Sequence, residues 1–181
     1  MSSPADSPNT ALIIVDVQKD NVGRYCQAII LNIQLLIKRA RERGIPVIYA
    51  CDSRYVDDYL FKRLGRKPHA IRGTDGVKVI DELSPAPGET VIEKRMLSGF
   101  FGTDLDFTLR DKGIRRLVIT GVRTEFCLYK TVLDAFELGY DIIVPRDSCA
   151  SPSEEGHGAI MKSLEFLKIP TPTAEELARG L

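Results

Sequence analysis

The feature that most limits how this chain can fold is a regular alternation of short apolar runs with segments of helical period. ALIIVDV (11–17) is almost continuously apolar and β-branched, the pattern of a strand buried on both faces. Residues 24–43 carry apolar side chains at helical spacing, end in the basic run Lys38–Arg43, and stop at Gly44. The same pairing repeats along the chain. PVIYA (46–50), ETVIEK (89–94), RRLVITGV (115–122) and YDIIVP (140–145) read as strands, and KIPT (168–171) as a short sixth. TDLDFTLRDKG (103–113), TEFCLYKTVLDAFELG (124–139) and SEEGHGAIMKSLEFL (153–167) read as helices, and GVKVIDEL (76–83) as a shorter one. Strict alternation requires parallel pairing through right-handed crossovers, hence a three-layer α/β/α sandwich.

At 181 residues the chain has one domain's worth of core, expected over 10–181, after a small, polar tail over 1–9. Lys plus Arg and Asp plus Glu both number 25, which removes the electrostatic case for nucleic acid or an anionic membrane. No apolar run approaches the roughly 20 residues needed to span a bilayer, and the start lacks the marks of a signal peptide. Cys26, Cys51, Cys127 and Cys149 lie far apart with no C-x-x-C pair, against a zinc knuckle or a disulfide scaffold. The expected compartment is the reducing cytoplasm.

Open parallel sheets bind ligands at the carboxyl ends of their strands. Those ends carry Asp16, Cys51-Asp52, Lys94, Gly121–Cys127 and Asp147, so an acid, a base and a thiol converge on one rim. Asp16 follows a run of apolar residues, where poor solvation raises a carboxylate towards general-base values; an ordinary loop cap is the alternative. Glu93 and Lys94 face opposite ways along a strand, which frees Lys94 to meet another acid. Cys127 falls in the first turn of a helix, whose N–H groups favour a thiolate and can hold an oxyanion. A moderately acidified thiol is expected there. Cys26, Cys51 and Cys149 read as small apolar fillers. The polar loop 52–75 is long for a compact domain, which points to function.

Three stretches carry a resemblance: ALIIVDVQKD, EKRMLSGFFGTDLDFTLRDKGIRRLVITGVRTEFC, and TVLDAFELGYDIIVPRDSCAS. In this order they resemble the isochorismatase-like cysteine hydrolases, over nearly the whole chain after the tail. The resemblance implies a six-stranded parallel sheet in the Rossmann-like order 3-2-1-4-5-6. It implies a triad of Asp16 as base, Lys94, and Cys127 as nucleophile. It also implies a cis peptide between Val122 and Arg123, with the N–H groups of Arg123 and Cys127 as oxyanion hole. A homo-oligomer, dimer or tetramer, is implied as well.

The cysteine favours the amidase branch, related to nicotinamidase and N-carbamoylsarcosine amidase, over vinyl-ether hydrolysis. Nicotinamidases carry a metal on an Asp-x-His motif and a distant His. Here Asp52-Ser53-Arg54 stands in that motif, leaving Asp52 and His69 as weak candidate ligands, because a guanidinium has no lone pair to give. No metal or other cofactor is expected. Asn21 replaces the aromatic residue of the family's DxQxDF pattern. Of the loop cations Arg54, Arg63, Arg66, Lys67 and Arg72, Arg54 stands at the strand exit, where it is expected to pair with a substrate carboxylate. Asn21 and His69 are further candidate substrate contacts. His157 reads as a capping or surface residue. The expected function is thioester-forming hydrolysis of a small amide or a carbamoyl or ureido C–N bond. Nicotinamidase with a partial metal site, and a silent binding protein of the same fold, are the alternatives.

Overall fold

The computed structural model describes residues 9–181; residues 1–8, most of the expected tail, lie outside them. Strands β1 (Thr10–Val15), β2 (Val47–Asp52), β3 (Thr90–Lys94), β4 (Arg116–Val122) and β5 (Asp141–Ile143) pair in parallel in the order β3-β2-β1-β4-β5. Two faces explain the apolar runs. Leu12 and Ile14 point to one core with α1 (Gln27–Glu42) and α6 (Ala174–Gly180). Ala11, Ile13 and Val15 point to the other, against α3 (Leu105–Asp111), α4 (Tyr129–Glu137) and α5 (Glu154–Phe166). A strand covered on both sides has no polar face to alternate.

The sixth strand is not where the sequence puts it. β6 is Cys149–Ala150 and pairs with β4 beyond the end of β5. The expected strand at 168–171 runs beside the chain after β5, where Pro170 and Pro172 accept from Val144 and Arg146. Both prolines lack the N–H that would return a rung, so no ladder forms. The loop 52–75 contains α2 (Tyr59–Leu64), closed by the left-handed Gly65 at φ 61°. GVKVIDEL gives two 3-10 turns, Asp75–Val77 and Asp81–Leu83, rather than one helix. The helix expected from 124 opens as a π-turn over Thr124–Leu128 before α4 begins.

Two backbone features shape the rim. Gly121 has φ 115°, and a Cβ there would stand 2.1 Å from the Val15 carbonyl oxygen. Only glycine lets β4 pass so close to β1. Beside it, Asp16 takes φ 55°, the left-handed conformation that short polar side chains tolerate. The chain therefore leaves the sheet at Asp16 with its carboxylate turned along the strand ends.

Candidate active site

The strand ends bring Asp16, Asp52, Lys94 and Cys127 together. Asp52 and Lys94 are register partners across β2 and β3. Lys94, 1% exposed, places Nζ 2.8 Å from Asp16 Oδ2 and 2.6 Å from Asp52 Oδ1, and donates also to the Met96 carbonyl at 3.1 Å. Carboxylate oxygens of Asp16 and Asp52 and the Cys127 sulfur lie within 4.8 Å of one another. The peptide between Val122 and Arg123 is cis. Asp16, Asp52 and Cys127 line a cleft of about 680 Å³, together with Asn21, Arg54, Arg66, His69, Arg123 and Phe126 among others.

Burial and charge set the protonation states. Burial raises Asp16, the nearby Asp52 anion raises it further, and Lys94 only partly offsets them, leaving it at about 6. Burial works the same way on Asp52, yet Lys94 and Arg54 together outweigh it and hold Asp52 below its ordinary value. Burial pulls Lys94 down, but Asp16, Cys127 and Asp52 keep its pKa raised, so it stays an ammonium. For Cys127 burial dominates, and with Asp16 and Asp52 it overcomes Lys94 and raises the thiol well above its usual range. The acidified thiol expected from the helix start is thus corrected. The sulfur is a neutral thiol beside a carboxylate of nearly neutral pKa.

Sequence reasoning missed how Asp52 is used. Its carboxylate joins Lys94 to Arg54, and its backbone is gripped by the buried Gln18, whose amide donates to the Asp52 carbonyl at 2.7 Å and accepts from its N–H at 2.8 Å. The signal was present in the spacing Asp16-x-Gln18, an amide two residues past a strand end. Arg54 is a second correction. It is 2% exposed and donates through one terminal nitrogen to Asp52 Oδ1 at 2.8 Å and through the other to the Arg95 carbonyl at 2.6 Å. It keeps only its buried Nε without a partner, so both terminal nitrogens serve the protein rather than a substrate carboxylate. His157 is a third. It is half-buried with Nδ1 3.0 Å from Thr124 Oγ1, bracing the π-turn that bears Cys127.

A metal does not suit these donors. Asp52 Oδ1 already serves two cations. The Lys94 ammonium bridges the two carboxylates that an ion would need. His69 turns Nδ1 to the Lys67 carbonyl at 2.9 Å and packs its ring on Phe61. Asn21 lines the cleft and donates to Gln18 Oε1 at 3.2 Å. Cys26, Cys51 and Cys149 are buried free thiols outside the cleft lining.

A doubly wound parallel sheet with a buried acid–lysine–thiol cluster at its strand ends defines an α/β hydrolytic scaffold of a recognised kind. Residues 10–175 match the isochorismatase domain model, and the chain belongs to the isochorismatase family. It is 33% identical to a probable inactive nicotinamidase of Arabidopsis thaliana, over 96% of each chain. It is 32% identical to a ureidoacrylate amidohydrolase of Pseudomonas savastanoi pv. phaseolicola, over 77% of this chain and 69% of the relative. The crystal structure of N-carbamoylsarcosine amidase from Thermoplasma acidophilum superposes with a TM-score of 0.83 at 31% identity, covering 91% of this chain and 96% of that one.

Proposed function

We propose that the protein is a cysteine-dependent hydrolase of a small amide, carbamoyl or ureido C–N bond. The observation that carries this is the neutral Cys127 thiol beside Asp16, whose pKa of about 6 leaves it ionised at neutral pH. Asp16 takes the thiol proton as Sγ attacks the carbonyl carbon. The oxyanion is held by the backbone N–H groups of Arg123 and Cys127. The C–N bond breaks, the amine or ammonia leaves with the proton from Asp16, and an S-acyl enzyme remains, a thioester from an amide and a thiocarbamate from a carbamoyl or ureido compound. Water adds to that carbonyl, Asp16 again taking a proton. The carboxylic or carbamic acid departs as the proton returns to sulfur and the thiol re-forms, a carbamic acid then losing carbon dioxide. Lys94 holds Asp16 in place and balances charge, and no metal enters any step.

The ureidoacrylate amidohydrolase and N-carbamoylsarcosine amidase among the relatives support the carbamoyl and ureido class. The four free thiols suit the reducing cytoplasm. No helix among the described residues is long and apolar enough to cross a membrane. Exposed Leu31, Phe107 and Phe166 suit an assembly of identical subunits. The test is ammonia release from primary amides, nicotinamide, N-carbamoyl amino acids and ureido acids, with and without chelator, against a Cys127→Ala control. Chelator-insensitive release from a carbamoyl or ureido compound, lost in the control, is expected. Release from nicotinamide alone, or release that survives in the control, refutes the assignment.

A further inference from the structure

The cleft contains two kinds of cation. Lys94 and Arg54 are committed to Asp16 and Asp52 deep in the site. Arg66, Lys67 and Arg123 line the same cleft, and among the described residues none of them pairs with an acid. The remaining carboxylate there, Asp20, is occupied by the Ala70 N–H at 2.8 Å. Among the described residues, the outer cleft therefore carries three cations without an ion-pair partner against the one carboxylate of Asp20.

Arg66 is the best organised of the three. The left-handed Gly65 ends α2 and turns the chain back, with the Arg66 N–H on the Phe61 carbonyl at 2.9 Å. The guanidinium carbon then lies 5.2 Å from the centroid of the Phe126 ring, one residue from Cys127. Stacking uses the face of a guanidinium and leaves its in-plane N–H edge free, the edge that grips a carboxylate through two parallel bonds. Arg123 leans on Tyr25 instead, 5.8 Å from that ring's centroid, and Lys67 is a flexible point charge.

We propose that Arg66, seated on Phe126, determines specificity by binding a carboxylate at the end of the substrate remote from the scissile C–N bond. The substrates are then small amides or ureides bearing a carboxylate. This rests on the hydrolase assignment only in taking Cys127 as the mark of the scissile end. Arg54, the cation that strand position singles out, cannot do this because both ends of its guanidinium are used within the protein.

The experiment is calorimetric titration of Cys127→Ala protein, which binds without turnover, with N-carbamoylglycine, N-carbamoyl-β-alanine and N-carbamoyl-γ-aminobutyrate. Each is paired with its neutral carboxamide. At least one acid should bind about tenfold or more tightly than its carboxamide, a difference the Arg66→Gln change should erase. Phe126→Leu should weaken the acid by a smaller factor and leave the carboxamide unaffected. Equal binding within every pair, absence of binding included, overturns the proposal, as does a preference that survives Arg66→Gln. Turnover separates the two claims. An acid preference without ammonia release from any substrate refutes the hydrolase assignment and leaves Arg66 standing; turnover of neutral amides without an acid preference does the reverse.

Discussion

Lys94 stands closer to Asp52, at 2.6 Å, than to Asp16, at 2.8 Å. The difference is small, but the surroundings reinforce it. Asp52 also holds Arg54, whereas Asp16 has one shared cation, Lys94, helped by hydrogen bonds from the Cys127 thiol and from the Asp52 N–H at 2.9 Å. These do not offset its burial and its neighbour's charge. Two buried carboxylates are thereby given different work: Asp52 is the fixed anion and Asp16 the one whose proton can move.

That division sets the pH profile. With Asp16 at about 6, kcat/KM on the true substrate should rise about tenfold per pH unit below that value and level off above it. Lys94 is held too high to add a falling limb near neutrality. Asp16 lies above its ordinary 3.8, so the folded chain binds more protons than the unfolded one between those values. Its contribution to stability is therefore full below 3.8 and is lost as pH rises towards 6. Asp16→Asn should cut kcat by roughly 10²–10⁴-fold while leaving the fold intact, read by steady-state kinetics beside a melting curve. A profile flat down to pH 4 would rule out Asp16 as the base.

Arg54→Gln should act on stability. Removing it leaves the two buried carboxylates of Asp16 and Asp52 with Lys94 as their one shared cation, an unbalanced cluster that costs about 3–5 kcal/mol. For a chain of this size, melting should fall by roughly 2–4 °C per kcal/mol. The loss should appear in thermal denaturation, whatever substrate is bound.

Alkylation reports on the thiol. Cys127 lines the cleft and is 8% exposed, while Cys26, Cys51 and Cys149 are more deeply buried. Iodoacetamide should label Cys127 first, slowly at neutral pH and faster as pH rises, because the resting sulfur is neutral. Cys127→Ala should abolish turnover with little change in stability. Peptide mass mapping that found another cysteine labelled first would contradict the site's geometry.

Gly121→Ala is the counterpart in the fold. Its Cβ would meet the Val15 carbonyl at 2.1 Å in a conformation that L residues avoid. Unless β1 and β4 part, the protein should fail to accumulate in soluble form, and any that does should melt well below the parent.

The convergence of Asp16, Lys94 and Cys127 was legible in the sequence because strand alternation alone brings strand ends to one rim. Cys127's place in a first turn was legible too. Its protonation state was not, since burial depends on packing from other elements that local spacing does not show. Arg54 misled for a related reason: its position at a strand exit was visible, its two internal acceptors were not. The sixth strand was sought in an apolar stretch whose prolines deny it a ladder, while Cys149–Ala150 is too short to show any periodicity.

Gln18 has a wider consequence. Where the left-handed turn at Asp16 carries the backbone out of the sheet, β2 continues two residues past its last partner pair, Val15 with Ala50, and would lose its neighbour on that side. The Gln18 amide, accepting from Asp52 N–H and donating to Asp52 C=O, serves as a surrogate peptide unit, a side chain standing in for a missing rung of main chain. Its second donor contact, to the Val77 carbonyl at 2.6 Å, ties the opposite loop to the same splice. Glutamate, equal in shape but without the N–H, could not make that splice, so an uncharged amide is required at a position that contributes no chemistry of its own.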